Sequence, residues 1–260
     1  MSVEHITSKA NSNIKYVKKL VLSAKFRREN RQFALEGLRL CRDAVLNGYF
    51  PVSLFYTKAA EEKSHDEIEQ LKNAAGACFE VSGDVFSAMS DTVSPQGVMC
   101  VMNMQGDCEK SLENGGKYAV IKGVATPDNV GAVARTAEAF GVNALVALGG
   151  CDVHNPKAMR ASMGALLRLP VLTMSDDEFF ERCDEYGIKT YASTPRSSAL
   201  KIGSFDFNGG CAIVIGNEAN GLPDEFIDKC DFAVTIEMKG KAESLNAAAA
   251  AAVLVYEMMK

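Results

Sequence analysis

Three stretches of this chain place polar side chains beside short apolar segments, where they could take part in chemistry. They are "TPDNVGAVARTAEAFG" with Asn129 and Arg135, "CAIVIGNEANGLPDEF" with Glu218, and "SLNAAAAAA" with Ser244 and Asn246. A guanidinium surrounded by glycine and alanine can be approached closely by a large ligand and can stabilise negative charge. The three stretches are therefore candidates for a catalytic or binding site.

Each stretch also has a purely structural interpretation. Arg135 could pair with Glu138 on the same helix, which would stabilise that helix by about 0.3 kcal/mol. The loop around Glu218 could be a plain turn between a strand and a helix, since Asn and Gly favour turns. The hydroxyl of Ser244 could cap the terminal helix. The residues alone leave both interpretations open.

Several common nucleotide-binding and hydrolase motifs are missing from the sequence. No G-x-G-x-x-G follows a strand, no G-x-x-x-x-G-K-[ST] is present, and no serine lies in G-x-S-x-G. A Rossmann-type dinucleotide site, a P-loop and a hydrolase nucleophile elbow are therefore disfavoured.

From Lys117 onward, the elements that must position the three stretches follow an alternating pattern. Strands are predicted at "KYAVIKGV", "ALVALGG", "LPVLTM", "KTYAST", "CAIVIG" and "AVTIEM", with helices between most of them, among them "NVGAVARTAEAFG" and "KAMRASMGALL". The first of these helices should bury one stripe of side chains: Val130, Val133, Ala134, Ala137 and Phe140. The alternation predicts an α/β fold, a mostly parallel sheet with helices on both faces, and in such sheets ligands bind at the carboxyl ends of the strands.

The first hundred residues predict a second, smaller α/β module. Between the two modules lies "QGDCEKSLENGG", a polar and glycine-rich segment without periodicity, which is typical of a linker. We therefore expect a small domain over residues 1–105, a linker over 106–116 and a larger domain over 117–260.

Charge is distributed unevenly along the chain. The formal net charge is −5, yet residues 1–42 contain ten Lys or Arg against three Glu, a net of +7 that leaves −12 for the rest. A basic end on an acidic body predicts a surface for phosphates, with Lys18, Lys19, Arg27 and Arg28 as candidate RNA contacts. The alternative is a solvated helix face.

Cysteine usage and hydropathy favour a cytoplasmic protein. The eight cysteines include no C-x-x-C pair, and the three histidines show no metal-ligand spacing with them, so we expect reduced thiols and no metal. No apolar run approaches the roughly 20 residues of a membrane helix, and the first residues lack the apolar core of a secretory signal.

Three segments, taken in order, resemble the signature motifs of the SpoU (TrmH-type) RNA 2′-O-ribose methyltransferases of the SPOUT superfamily. They are "NVGAVARTAEAFGV", "IVIGNEANGLPDE" and "IEMKGKAESLNAAAAAAVLVYE". The N-terminal "ITSKANSNIKYVKKL" and "RRENRQFALEGLRLCRDAV", with "SPQGV" before the linker, resemble the substrate-binding domain of that family. The resemblance thus covers nearly the whole chain.

The resemblance implies a C-terminal trefoil knot, S-adenosylmethionine as cofactor, and a homodimer that packs through the terminal helix. Residue by residue, it implies catalytic roles for Asn129, Arg135, Glu218, Ser244 and Asn246. It implies a cofactor pocket lined by Gly216, Asn217, Ile236, Met238 and Leu245. The segment "NPKAMRASMGAL" resembles the family too and offers Lys157, Arg160 and Ser162 as RNA contacts. Three positions depart from the family pattern at the pocket: Glu237, Ala247 and Ala248.

The expected function is transfer of a methyl group from S-adenosylmethionine to a ribose 2′-hydroxyl of rRNA or tRNA, with the separate N-terminal domain favouring rRNA. The expected role of Arg135 is to stabilise the developing alkoxide, because a guanidinium with a pKa above about 12 is a poor base. The alternatives are a non-catalytic RNA-binding or ribosome-assembly protein that keeps the fold, and a nucleotide-dependent oxidoreductase, which the missing glycine motif disfavours.

Overall fold

The computed structural model describes residues 3–105 and 112–260, which form two compact units. The first unit contains the residues before the gap together with His154–Arg160, and the second contains the remaining described residues. Residues 106–111 of the predicted linker lie outside the described residues. Its next residue, Leu112, is buried in the core of the second unit.

The first unit is built on a five-stranded mixed sheet in the order β1-β4-β3-β5-β2. Strands β1, β4 and β3 are parallel, and β5 runs antiparallel to both β3 and β2. The strands are β1 (Val3–Ile6), β2 (Gln32–Glu36), β3 (Pro51–Tyr56), β4 (Ala77–Val81) and β5 (Val98–Asn103). The helices are α1 (Ser12–Leu22), α2 (Ala24–Asn30), α3 (Leu38–Leu46), α4 (Lys58–Lys63), α5 (His65–Ala74) and α6 (Gly83–Met89).

Helix α1 shows why this sequence folds as it does. Its apolar residues recur at helical spacing, so that Ile14, Val17, Leu20 and Val21 face the core while the lysines between them face solvent. Asn11 caps its first turn by accepting a hydrogen bond from Asn13 N at 2.8 Å.

The second unit is built on a seven-stranded sheet in the order β10-β12-β9-β11-β6-β7-β8, in which every pair is parallel. This confirms the predicted parallel sheet. The strands are β6 (Lys117–Lys122), β7 (Ala144–Leu148), β8 (Val171–Thr173), β9 (Lys189–Ser193), β10 (Leu200–Lys201), β11 (Cys211–Ile215) and β12 (Phe232–Thr235). All residues of β7 and β11 are buried, as expected for central strands covered on both faces.

Six helices complete the description: α7 (Pro127–Phe140), α8 (Pro156–Ala161), α9 (Ala165–Arg168), α10 (Asp176–Glu185), α11 (Asp224–Lys229) and α12 (Ala247–Met259). Helix α7 starts with Pro127 and ends at Gly141, whose left-handed φ of 77° breaks the helix. The terminal helix α12 packs against α7, β11 and β6.

Two sequence expectations for these helices are wrong. Phe140 is 40% exposed, because it is the last residue of α7, and its ring meets Tyr256 edge-on at 5.6 Å. The single helix predicted at "KAMRASMGALL" is two helices, because Met163 and Gly164 adopt φ of 52° and 88° and interrupt it.

The thiols and the hydropathy are simple to describe. Seven cysteines lie in the described residues and none of these seven forms a disulfide, while Cys108 lies outside them. Among the helices described for residues 3–105 and 112–260, none has the length and apolar character needed to cross a membrane.

Candidate active site

The loop that follows β11 is shaped by Gly216 and Asn217. A Cβ on Gly216 would lie 2.5 Å from the carbonyl carbon of Gly221, so only glycine allows the loop to fold back this tightly. Asn217 donates a hydrogen bond to Gly123 O at 2.9 Å and accepts from Ala219 N at 2.9 Å. The loop is therefore tied to the segment that follows β6.

The carboxylate of Glu218, at the tip of this loop, joins the loop to the start of α7. It accepts hydrogen bonds from Ala125 N at 3.0 Å, Thr126 N at 3.0 Å and Asn129 Nδ2 at 2.8 Å. Partial burial by itself raises the pKa of this carboxyl group, but the hydrogen bonds from Asn129 and the backbone outweigh it and lower the pKa to about 2. Glu218 is therefore ionised at neutral pH and acts as an anchor.

Asn129 and Asn246 extend this anchor to the terminal helix. The buried Asn129 accepts a hydrogen bond through Oδ1 from Asn246 Nδ2 at 3.1 Å. Asn246 in turn caps α12, accepting from Ala248 N at 2.9 Å and Ala249 N at 3.4 Å. The structural interpretation of Ser244 as the cap of this helix is therefore wrong. The chain Glu218–Asn129–Asn246 thus joins one side chain from each of the three stretches.

Arg135 and Ser244 take no part in this chain of hydrogen bonds. Both side chains are exposed, and among the described residues neither has a hydrogen-bond or ion-pair partner. Glu138, the partner suggested by sequence, pairs with Arg168 instead, with Nη2 to Oε2 at 2.9 Å. The interpretation of Arg135 as half of a surface ion pair is therefore wrong, and its guanidinium is available to a ligand.

The segment between β12 and α12 has the character of a ligand-binding loop. Ile236 and Met238 are half-buried and Leu245 is exposed. Apart from helix and strand ladders, no backbone N–H of residues 236–245 donates to a backbone oxygen elsewhere in the described chain. Apolar side chains next to free backbone donors and acceptors suit a flat ligand with a hydrogen-bonding edge.

Of the four basic residues predicted near the N-terminus, three are on the surface. Lys18, Lys19 and Arg28 are exposed. Arg27 is only 2% exposed, and its Nη1 donates to Leu20 O at 2.6 Å and Val21 O at 3.1 Å. The expectation that Arg27 contacts RNA is wrong, because its guanidinium is used to satisfy the free carbonyl groups at the end of α1.

Of the three residues predicted around α8, only Lys157 is exposed. Arg160 forms a bidentate ion pair with Asp91, with Nη1 to Oδ1 at 2.8 Å and Nη2 to Oδ2 at 2.9 Å. Ser162 is fully buried, and its hydroxyl accepts from Leu166 N at 3.4 Å. Ser162 is therefore a structural residue and cannot contact RNA from this position.

Sequence reasoning missed two groups of the site, the backbone N–H groups of Ala125 and Thr126. Backbone groups carry no residue-type signal. Pro127 at the first position of α7 was the available hint, because it marks the start of a helix, where backbone N–H groups have no partner within the helix.

With this geometry in view, two family models match the chain. Residues 117–256 match the SpoU rRNA Methylase family, and residues 11–100 match an MRM3-like substrate binding domain. The first match spans more than half of the chain and contains all three stretches. The chain belongs to the SpoU rRNA methylase family, and the resemblance inferred from the motifs is confirmed.

Individual relatives are similar along nearly their whole length. The 23S rRNA (guanosine(2553)-2'-O)-methyltransferase RlmP of Bacillus subtilis is 30% identical over 98% of this chain and 99% of its own. The AdoMet-bound rRNA methyltransferase from Sinorhizobium meliloti has a TM-score of 0.87, with 25% identity over 98% of this chain and 97% of its own. The SpoU methyltransferase AviRb from Streptomyces viridochromogenes, in complex with AdoMet, has a TM-score of 0.85 with 25% identity, covering 96% of this chain and 97% of its own.

Proposed function

We propose that this protein transfers a methyl group from S-adenosylmethionine to a ribose 2′-hydroxyl of ribosomal RNA. The observation that carries the proposal is the Glu218–Asn129–Asn246 chain of hydrogen bonds, which joins the three family motifs. Arg135 lies on the same helix as Asn129, is exposed, and has no partner among the described residues. Ribosomal RNA is favoured over tRNA because RlmP, whose name gives 23S rRNA as its substrate, is similar over the whole chain.

The residues present fit S-adenosylmethionine. The loop of Gly216 and Asn217 and the segment carrying Ile236, Met238 and Leu245 would hold it, with the free backbone groups of residues 236–245 available to the adenine edge. When bound, this cofactor supplies an electrophilic methyl group on a positively charged sulfur. Its presence in two structurally similar relatives supports the assignment.

Arg135 would lower the free-energy barrier to loss of the proton from the ribose 2′-hydroxyl. A ribose 2′-hydroxyl is a poor nucleophile until its proton leaves. The guanidinium stabilises the developing alkoxide with fixed N–H donors, while the proton passes to an RNA phosphate oxygen. The positively charged sulfur of the bound cofactor would make the methyl group electrophilic and would leave as a neutral thioether, so that the transfer would need no metal.

The other catalytic candidates hold the site in shape. Glu218 fixes the start of α7, which carries Arg135, and Asn246 fixes the start of α12. The exposed hydroxyl of Ser244, two residues before that cap, is placed to donate a hydrogen bond to a ligand. We assign positioning roles to Glu218, Asn129 and Asn246, and substrate or cofactor contact to Ser244.

Arg135→Ala and Arg135→Lys test the assignment, and Arg182→Ala, which removes an arginine paired with Glu178 on α10, is the control for loss of a helical arginine. Arg135→Ala should lower methylation of rRNA at least about 100-fold, while cofactor affinity by calorimetry and the melting temperature stay near wild type. Arg135→Lys keeps the charge but loses the planar fork, so it should recover little activity. A fully active Arg135→Ala protein would contradict the proposal.

The same experiment separates the alternative functions. A non-catalytic RNA-binding protein would bind RNA yet transfer no methyl group in the wild-type form, and an oxidoreductase would not bind S-adenosylmethionine. Mapping 2′-O-methyl groups in rRNA from cells with and without the protein would identify the nucleotide.

The proposal extends to the organisation of the chain. Residues 1–105 would bind the RNA through charge, residues 106–116 would link the domains, and residues 117–260 would form the SPOUT domain with its trefoil knot. Lys18, Lys19, Arg28 and Lys157 remain the candidate RNA contacts, since all four are exposed. The knot can be checked by tracing an experimental structure of the chain, and the expected cytoplasmic location by cell fractionation.

A homodimer is supported by an exposed apolar surface on the second unit. Phe140 on α7 and Val253 and Tyr256 on α12 are all exposed, and the rings of Phe140 and Tyr256 are in contact. Large exposed side chains that cluster in this way are typical of an interface. We propose that α7 and α12 form it.

A further inference from the structure

A cleft of about 810 Å³ lies in the first unit, at the carboxyl ends of its three parallel strands. Thr7 follows β1, Thr57 follows β3 and Ser82 follows β4, and all three line it. In α/β units, ligands bind at this end of a parallel sheet. The basic surface of α1, to which RNA binding was assigned above, does not line this cleft.

The lining combines cationic, polar and apolar groups. Lys58 and Lys63 are exposed there, and neither forms an ion pair with another described residue. One carboxylate is present, that of Glu80, and its Oε1 lies 3.4 Å from His5 Nδ1. Apolar side chains such as Phe86 and Val98 also line the cleft, together with polar ones such as Ser87 and Gln96. This chemistry suits a ligand with an anionic group and a flat apolar face.

One wall of the cleft, Pro95–Gly97, belongs to the loop between α6 and β5, which hydrogen bonds join to the rest of the first unit. Glu36 is only 5% exposed, and its two carboxylate oxygens accept from Ser90 Oγ at 2.7 Å and Thr92 Oγ1 at 2.8 Å. A buried carboxylate costs stability unless it is hydrogen-bonded, and these two loop hydroxyls satisfy it.

The far end of the same wall is fixed to the strand ends. Thr57 N donates to Gly97 O at 2.9 Å, and Gly37 N donates to Val98 O at 2.9 Å. Gly97 has a φ of +77°, and a Cβ there would lie 2.4 Å from Thr57 Oγ1. The wall is therefore preformed, so that a ligand would not need to order it on binding.

We propose that this cleft binds one unpaired nucleotide of the RNA substrate, with its base against the apolar lining and its phosphate at Lys58 and Lys63. The proposal rests on the proposed function and names the part of the RNA that the first unit reads. A nucleotide within a duplex cannot enter such a cleft, whereas proteins commonly take up the splayed bases of single-stranded RNA loops. A cleft of this size accommodates one nucleotide but not a helix.

Two variants of the full-length chain test the phosphate contact and the base contact of the nucleotide separately. Lys63→Ala removes a phosphate contact, so the slope of log affinity against log salt should fall by about 0.7. Ser87→Phe, on the cleft side of α6, fills the cleft without changing charge. It should weaken binding about tenfold at every salt concentration and leave the slope unchanged. The probe is 23S rRNA from cells lacking the protein, measured by filter binding.

Lys229→Ala on α11 is the control for loss of one exposed lysine, and thermal unfolding checks that each variant is folded. Equal affinity of Ser87→Phe and wild type would overturn the nucleotide site. A Lys63→Ala slope equal to that of Lys229→Ala would overturn the phosphate contact. Both results are separable from failure of the proposed function, in which wild-type protein would bind no S-adenosylmethionine and methylate no rRNA.

Discussion

Asn246 offers the sharpest test of how the site is assembled, because one side chain makes two separable contacts. Its Oδ1 caps α12, and its Nδ2 donates to Asn129. Asn246→Ala removes both contacts. Asn246→Ser keeps an oxygen that can cap the helix but is too short to reach Asn129. Comparing the two variants therefore separates the contribution of the helix cap from that of the hydrogen bond to Asn129.

The magnitude follows from the two contacts. Loss of an N-cap costs about 1 kcal/mol, and loss of a partly buried side-chain hydrogen bond costs about another 1 kcal/mol. Asn246→Ala should therefore lower the free energy of unfolding by about 2 kcal/mol and the melting temperature by about 4–8 °C. Asn246→Ser should lose only the second contribution, or about 2–4 °C.

Calorimetric melting and methylation of rRNA should be measured on both variants. We expect both to methylate slowly, because each frees Asn129 from the terminal helix and loosens the chain of bonds to Glu218. Equal melting temperatures for Asn246→Ala and Asn246→Ser would refute the capping argument. Wild-type methylation by Asn246→Ser would show that the bond to Asn129 has no role in the reaction.

Two further predictions concern the N-terminal arginines and the dimer. Arg27→Ala should lower the free energy of unfolding by about 2 kcal/mol in thermal unfolding, since two carbonyl groups lose their donor. Arg28→Ala should leave the free energy of unfolding unchanged and weaken RNA binding. Equal stability of the two variants would contradict the assignment. Tyr256→Glu should shift the protein from dimer to monomer in analytical ultracentrifugation, because it places a charge on the proposed interface. A dimer that persists in this variant would place the interface elsewhere.

The parallel sheet was predictable because its strands are short, apolar and separated by helical segments. A buried strand such as β11, "CAIVI", is easily recognised in the sequence because all its residues are apolar. The polar loop that follows it is then expected at the carboxyl edge of the sheet. Glu218 could be singled out for the same reason, whereas Asn129 and Asn246 could be singled out by the resemblance to the family motifs. The hydrogen bonds that join them could not, because they connect positions about 90 and 117 residues apart.

The burial of Arg27 and Ser162 could not be predicted, because both residue types are usually found on the surface. Arg27 reads as part of a basic surface, and only the packing of α2 against α1 shows that its guanidinium satisfies the carbonyls of the preceding helix. Ser162 reads as an accessible hydroxyl, yet it is buried at the break between α8 and α9. That break depends on the left-handed backbone of Met163, a conformation that methionine rarely adopts.

The alanines of α12 limit how far this helix can shift against the elements that it packs on. Alanine has no side-chain rotamers, so burying Ala247 and Ala251 loses no side-chain conformational entropy. The same property means that this surface cannot adjust by repacking, because a methyl group fixed to the backbone has no alternative position. The position of α12 against the elements it packs on is therefore set by backbone geometry, and the hydrogen bond between the side chains of Asn246 and Asn129 depends on that position.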